Sequence, residues 1–508
     1  MLLVHPPVAK PGEPPAGIAA LAGALHRRGL PHALLDANLE ALFFLLNRAE
    51  GGNDTWSVRA LKHRHAHLAA LRDPATYQSP DRYRRAVLDC NRVLACAARK
   101  FPHISLGLAN YQDQCASPLR SADLLRAAKE HRSHLLFPWF SKRLSRLLAE
   151  INPDTVGISL CFLSQALCTF ALLGFLRATA PGLRLILGGG LITSWMADPS
   201  WRNPFAGLVD HCIAGPGEQA LPELLGSRAV VDDDALPRYV DLEMDRYLAP
   251  GPITPYAASR GCAWNRCTFC PEPAEQSRYL PVPPDTAAGH LRELVVQTRP
   301  LLLHLLDNAL SPALMRALID RPPGAPWYGF VRAGEELADP DFCRCLRLSG
   351  CVLLKLGFES GSQAVLDAMG KGIRLSLMER VLAALHQVGI ATYIYLLFGT
   401  PAESPAEARA TLDFTVRHHQ EIGFLNLAIF NMPRFGVEAA RLGSRPFSHG
   451  DLSLYTDFIH PRGWNRRQVR AFLDREFRRH PAIQPILRRD PPLFTSNHAA
   501  LFTPGMFF

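Results

Sequence analysis

The chain has 508 residues, 48% hydrophobic and 20% charged, with 55 basic against 46 acidic side chains and a formal net charge of +9. Those fractions exclude a disordered chain, and no period in it suits collagen or a coiled coil. At roughly 150 residues per domain the length suits two to four domains with ordinary cores, and without a basic tract interleaved with aromatics nucleic-acid binding is disfavoured despite the charge.

In chain order, Met1–Val4 is a short apolar strand, followed by His5-Pro6-Pro7 and a Pro/Gly-rich loop to Gly17. Helical spacing over Ile18–Arg28 and a strand at His32–Asp36 complete a βαβ opening, which implies a parallel sheet. Residues 40–150 are helical and rich in Arg and His, with no clear strand, and are read as an insertion. The alternate histidines of Lys62–His67 do not share one helix face and read as a solvated face. From Thr155 to Leu176 no residue is charged, about the length that a bilayer asks for. Gly157, Ser159, Ser164, Gln165 and Thr169 interrupt it, so the reading is a buried strand, Thr155–Leu160, covered by a helix, Gln165–Ala180. Further strands at Leu183–Leu187 and His211–Ala214 end in Gly188-Gly189-Gly190 and in Gly215-Pro216-Gly217-Glu218. Glycines just past strand ends let a backbone approach a ligand at the carboxyl edge of an open sheet; tight turns are the plainer alternative.

A Pro-rich linker at 236–255 precedes a second α/β series. Its strands are expected at Pro255–Ser259, Leu301–Asp307, Trp327–Arg332, Val352–Glu359, Ala391–Phe398 and Phe424–Asn431, with helices between. Six such repeats make a partial (β/α)6 barrel of the TIM type, whose chemistry belongs at the carboxyl ends of the strands. After Arg434 the chain is Arg-rich and helical over Arg466–Arg479, with an apolar tail. The expected domains are 1–235, an α/β sheet with its helical insertion; 250–435, the barrel; and 436–508, a short helical extension.

The 12 Cys are too few for a disulfide scaffold of this size, and with no secretory signal they predict reduced thiols in a cytoplasmic protein without a membrane span. Three of them, Cys262, Cys267 and Cys270, fall within nine residues just after the first barrel strand. Three thiolates without a fourth ligand nearby suit a cubane iron–sulfur cluster with one open iron, whereas structural zinc wants four ligands in closed geometry. Cys343, Cys345 and Cys351 straddle a helix and a strand and are read as packing residues, like the other six.

At Ser259–Cys270 the sequence resembles the radical S-adenosylmethionine (radical SAM) superfamily, with Cys-x4-Cys-x2-Cys in place of the usual Cys-x3-Cys-x2-Cys. The resemblance implies a four-iron four-sulfur cluster on Cys262, Cys267 and Cys270, with the backbone at Phe269 approaching the SAM adenine. Leu348–Gln363, followed by Val365-Leu366-Asp367 and Met369-Gly370-Lys371-Gly372, resembles the fourth-strand region of the same superfamily. It implies SAM contacts from Glu359, Ser360 and Ser362, from Asp307 and Asn308 at the second strand end, and from Arg332 at the third. Phe398–Pro401 similarly looks like a SAM-facing loop. With its amino-terminal sheet the chain is similar to the cobalamin-binding class. For that class the matching positions are Pro6, Pro7, Gly17, Ser159, Gly188, Gly189, Gly190, Thr193, Gly215, Gly217 and Glu218. The Asp-x-His-x-x-Gly motif that supplies an axial His elsewhere is missing, as it commonly is in radical SAM members.

The resemblance therefore implies reductive cleavage of SAM and cobalamin-dependent methyl transfer to an unactivated carbon of a small molecule or peptide. The electron would come from an external donor such as flavodoxin or ferredoxin. Two alternatives stand beside it: radical rearrangement, cyclisation or oxidation without methyl transfer, and a non-catalytic cobalamin or iron–sulfur binding protein.

Overall fold

Apolar runs with no alternation build parallel strands that are buried on both faces, and this chain forms two such sheets. The structure is a computed structural model that describes residues 1–227, 234–446 and 450–490. It divides into two compact units, residues 1–253 with 450–454, and residues 254–446 with 455–490. Most of the described carboxyl-terminal extension thus belongs to the second unit, with residues 450–454 in the first, and its apolar tail, 491–508, lies outside the described residues.

The first unit holds β1 (Leu2–His5), β2 (Ala33–Asp36), β5 (Thr155–Ser159), β6 (Arg184–Gly188) and β7 (His211–Cys212) in the order β2-β1-β5-β6-β7, every pair parallel. The chain leaves β1 towards β2 on one side and returns to β5 on the other. The carboxyl ends of β1 and β5 therefore flank the point where the order reverses, the usual ligand crevice of such sheets. The uncharged stretch is, as expected, a strand and a helix, Leu163–Thr179, buried all round its middle turns. No helix among the described residues is long and apolar enough to cross a membrane. The insertion is helical, with one correction: it contains a short antiparallel hairpin, β3 (Ile104–Leu106) with β4 (Tyr111–Asp113). Strands of three residues give too few alternations to register as a pattern.

The second unit carries β8 (Ile253–Tyr256), β11 (Leu302–Leu305), β12 (Trp327–Val331), β13 (Cys351–Glu359), β14 (Ala391–Phe398) and β15 (Phe424–Ile429). They form one open six-stranded sheet in the order β15-β14-β13-β12-β11-β8, so each expected strand takes its place in the partial barrel. Two further short strands, β9 (Ser259–Arg260) and β10 (Leu280–Pro281), pair antiparallel and close the loop that contains the three cysteines. The extension is corrected too. Before its helices, Arg466–Phe472 and Gln484–Arg489, it contributes β17 (Ser444–Pro446) and β18 (Tyr455–Phe458), which join β16 (Met432–Pro433) in a three-stranded antiparallel sheet.

Candidate functional site

Because all strands of the first sheet run the same way, the residues singled out around it meet at one edge. Pro6 follows β1, and its carbonyl accepts from Gln165 Nε2 at 2.6 Å. Ser159 ends β5, and a Cβ on Gly17 would sit 3.3 Å from its hydroxyl. Gly188 ends β6, and Gly189 has φ of +104° and leaves no room for a side chain beside the Leu160 carbonyl. Thr193 ties two loops together: its hydroxyl donates to the Gly189 carbonyl at 3.1 Å and accepts from the Gly215 N–H at 2.9 Å. Gly217 opens the helix Gly217–Leu224 and Glu218 follows, its carbonyl bonded by Arg28. A Cβ at Gly190 or Gly215 would meet nothing within 4 Å. Side-chain-free backbone facing open space along a strand-end edge fits a large, flat ligand such as a corrin. Sequence reasoning passed over Gln165, whose carbonyl caps the Cys161 and Phe162 N–H groups, and the buried His5 beside it. Burial lowers the His5 pKa, against the opposing pull of Asp36.

In the second unit the loop from Gly261 to Tyr279 starts at the carboxyl end of the first barrel strand. Asp307 is buried and anchors its root, accepting from the Ser259 hydroxyl at 2.5 Å and the Ala258 N–H at 3.1 Å. Asn308 donates to Glu272 Oε1 at 2.7 Å, beyond the third cysteine. The far side of the loop rests on the turn at 369–372, where the Thr268 N–H donates to the Met369 carbonyl at 3.0 Å and Trp264 Nε1 to the Gly370 carbonyl at 2.9 Å. Arg332, just past the end of β12, lies 3.8 Å over the Trp264 ring and donates to the Gly372 carbonyl at 2.7 Å. Phe269 packs against Phe430, Met432 and Ala439.

Cys262, Cys267 and Cys270 are half-buried and form no disulfide. Burial pushes the Cys270 thiol up to about 12 and raises Cys267 as well, while Lys371 and Arg332 pull Cys267 back down. Each of those two thiols also feels the charge of Cys262 and of the other or of Glu359, so the three share one neighbourhood. Among the described residues no three His, Cys, Asp or Glu side chains converge on a single ion. A cubane takes one thiolate per iron, so its ligands surround a cluster rather than meet at an ion, and three free thiols beside two cations fit that donor set.

Opposite the loop, Glu359 ends β13 with φ of +72°, beyond a break in register after Gly357. A left-handed glutamate is strained and needs surroundings that hold it. Lys371 does so through a 2.9 Å ion pair in which both side chains are largely buried. Ser360 is fully buried, its hydroxyl 3.2 Å from Thr411 Oγ1 and accepting from the Ser362 N–H at 3.2 Å. Ser362 precedes the helix Gln363–Ala368 without capping it through its hydroxyl. The strand-end loop after Phe398 is held by a residue that sequence reasoning missed, Glu403, which accepts from the Gly399 N–H at 2.5 Å and from Trp464 Nε1 at 2.9 Å. The Lys371 contact was missed as well, although the glycines around it had been singled out.

The geometry thus sets three thiols, a strained carboxylate and two cations at the carboxyl edge of a six-stranded parallel partial barrel in one unit, while the other unit carries a glycine-edged parallel sheet. The radical S-adenosylmethionine methyltransferase TsrM from Kitasatospora setae, solved with cobalamin and a 4Fe–4S cluster bound, has the same architecture. It superposes with a TM-score of 0.52 over 88% of this chain and 81% of that one at 16% identity. The chain has the fold of a cobalamin-binding radical SAM enzyme. Among curated relatives, the bacteriochlorophyllide d C-12(1)-methyltransferase of Chlorobaculum tepidum is 28% identical over 185 residues, 34% of this chain and 40% of that protein. The anaerobic magnesium-protoporphyrin IX monomethyl ester cyclase of Rubrivivax gelatinosus is 22% identical over 386 residues, 69% of this chain and 66% of that protein. The chain therefore spans less than two thirds of these relatives' own lengths. No family model matches it.

Proposed function

We propose that the protein is a radical SAM enzyme and a cobalamin-dependent methyltransferase that acts on an unactivated carbon of a small molecule or peptide. The observation that carries this reading is the hairpin-closed loop of three free thiols beside Glu359, Lys371 and Arg332 at the barrel edge. The TsrM fold and the Chlorobaculum methyltransferase support it. When bound, the reduced cluster supplies the electron that cleaves SAM, and cobalamin supplies the methyl group that is transferred.

Cys262, Cys267 and Cys270 would hold the cluster, releasing their protons as they bind iron. Glu359 and Ser362 would contact SAM, and the Phe269 backbone would approach its adenine. Asp307, Ser360 and Arg332, each also bonded to protein groups, would serve the same site and steady the loops that shape it. On the first sheet, Pro6, Gly17, Ser159, Gly188, Gly189, Gly190, Thr193, Gly215, Gly217 and Glu218 would line the cobalamin edge. The electron would come from an external flavodoxin or ferredoxin.

The Rubrivivax cyclase favours a second reading, radical cyclisation without methyl transfer. Anaerobic incubation with a reductant, cobalamin and SAM labelled in its methyl group separates the two. Methyl transfer predicts 5′-deoxyadenosine, S-adenosylhomocysteine and label in methylcobalamin. Radical cleavage with no S-adenosylhomocysteine favours the cyclase-like reading, and intact SAM contradicts both.

A further inference from the structure

The loop between Cys262 and Cys267 is one residue longer than the radical SAM pattern. The extra length has a definite place in the fold. Asn265 turns the chain with φ of +42°, and Ala263, Asn265 and Arg266 face outward. Trp264 alone in that stretch turns back, and its indole is held on three sides. The Arg332 guanidinium lies 3.8 Å above the ring, and the Arg266 guanidinium is 5.1 Å from its centre. The indole N–H donates to the Gly370 carbonyl at 2.9 Å. Below it the turn at 369–372 is built without side chains where the loop lands. A Cβ on Gly372 would sit 2.3 Å from Trp264 Cζ2, and one on Gly370 would sit 2.6 Å from the Arg266 carbonyl oxygen. Both glycines have positive φ, +64° at Gly370 and +62° at Gly372, so neither conformation suits another residue. Between them stands Lys371, the partner of Glu359.

We propose that Trp264 is a positioning residue for the iron–sulfur cluster. Its indole, gripped between Arg332 and the Gly370–Gly372 turn, absorbs the extra residue and locks the cysteine loop against the Glu359–Lys371 pair. The inference rests on the assignment of Cys262, Cys267 and Cys270 as cluster ligands. Two physical effects follow. A stacked, hydrogen-bonded indole restricts the loop and so slows loss of the cluster. It also holds the Arg332 charge near Cys267 and Cys262, where a fixed cation favours the more reduced, more negative cluster.

The test uses the full-length protein, reconstituted anaerobically with iron and sulfide, as wild type, Trp264→Phe, Trp264→Ala and Gly372→Ala. Three quantities are read: the half-life of bound iron under a chelator, the midpoint potential of the cluster, and the change in its reduced electron paramagnetic resonance spectrum when SAM is added. Trp264→Ala is expected to shorten the half-life several-fold, lower the potential and blunt the SAM-induced change. Trp264→Phe keeps an aromatic face for Arg332 and loses the N–H bond and the part of the indole that lies on Gly372, so it should fall between. Gly372→Ala should reproduce the alanine phenotype from the opposite side. Wild-type values for all three quantities in Trp264→Ala would overturn the proposal, and if that variant is insoluble, wild-type values in Trp264→Phe and Gly372→Ala would do so. A wild-type protein that binds no cluster, or a triple cysteine variant that keeps its iron, overturns the ligand assignment itself, an outcome distinct from the first.

Discussion

Glu403 shows how much one residue can decide at the strand-end loop. The carboxyl group is fully buried, and burial pushes its pKa up to about 7 even though Gly399 and Trp464 donate to it. Its second oxygen has no hydrogen-bond partner, which suits a protonated acid. A carboxyl with a raised folded pKa stabilises the fold fully below its ordinary range, and that contribution is lost as pH rises through about 7. From the shift, the loss amounts to about 3 kcal/mol. Glu403→Gln keeps an oxygen for both donors and cannot ionise, so its melting temperature should fall less than that of wild type on going from acid to mildly alkaline pH. Parallel melting profiles across that range would sink this account. None of it was legible in the sequence, because the partner Trp464 is brought in from the extension by the fold, as is His460, which bonds the Thr400 carbonyl of the same loop. The cysteines were legible because their chemistry is local: nine residues of loop suffice. Trp264 lay inside that motif unassigned, since its receptor is a turn about a hundred residues away.

Elements were easiest to read where burial is continuous. The two series of parallel strands announce themselves as apolar runs separated by helical spacing, and every expected strand of both sheets is present. The short antiparallel pieces, β3–β4 and β16–β18–β17, have two to four residues per strand and pair across connections that no periodicity marks. What the insertion does for the first sheet is equally invisible in sequence. Its helix Ser121–Lys129 packs so closely on Leu163–Thr179 that a Cβ at Gly174 would sit 1.9 Å from the Ala128 carbonyl oxygen. Helix propensity alone favours Gly174→Ala by about 1 kcal/mol, whereas forcing a methyl against backbone costs about 1–3 kcal/mol or more. The clash should win, giving a variant with a lower denaturation midpoint. A midpoint above wild type would show that the two helices do not meet this closely.

At the scale of the whole molecule the chain is two compact units, each with a candidate site at the carboxyl edge of a parallel sheet. The first offers a glycine-edged crevice at the reversal of strand order, and the second offers three thiols and the Glu359–Lys371 pair. The net charge of +9 and the Arg-rich surface acquire no role in either site. Most of the described extension clusters with the barrel in the second unit: Phe269 of the cysteine loop packs on Phe430 and Met432, with Phe458 of the extension beside them. Every functional statement about the second unit depends on one assignment, the three cysteines as ligands of a four-iron cluster. The most direct measurement is iron and sulfide per chain after anaerobic reconstitution, with the reduced electron paramagnetic resonance spectrum, for wild type and for Cys262→Ala/Cys267→Ala/Cys270→Ala. The account predicts a four-iron cluster in the wild type whose spectrum changes when SAM is added, and no cluster in the triple variant. A triple variant that kept its iron and its spectrum would contradict it.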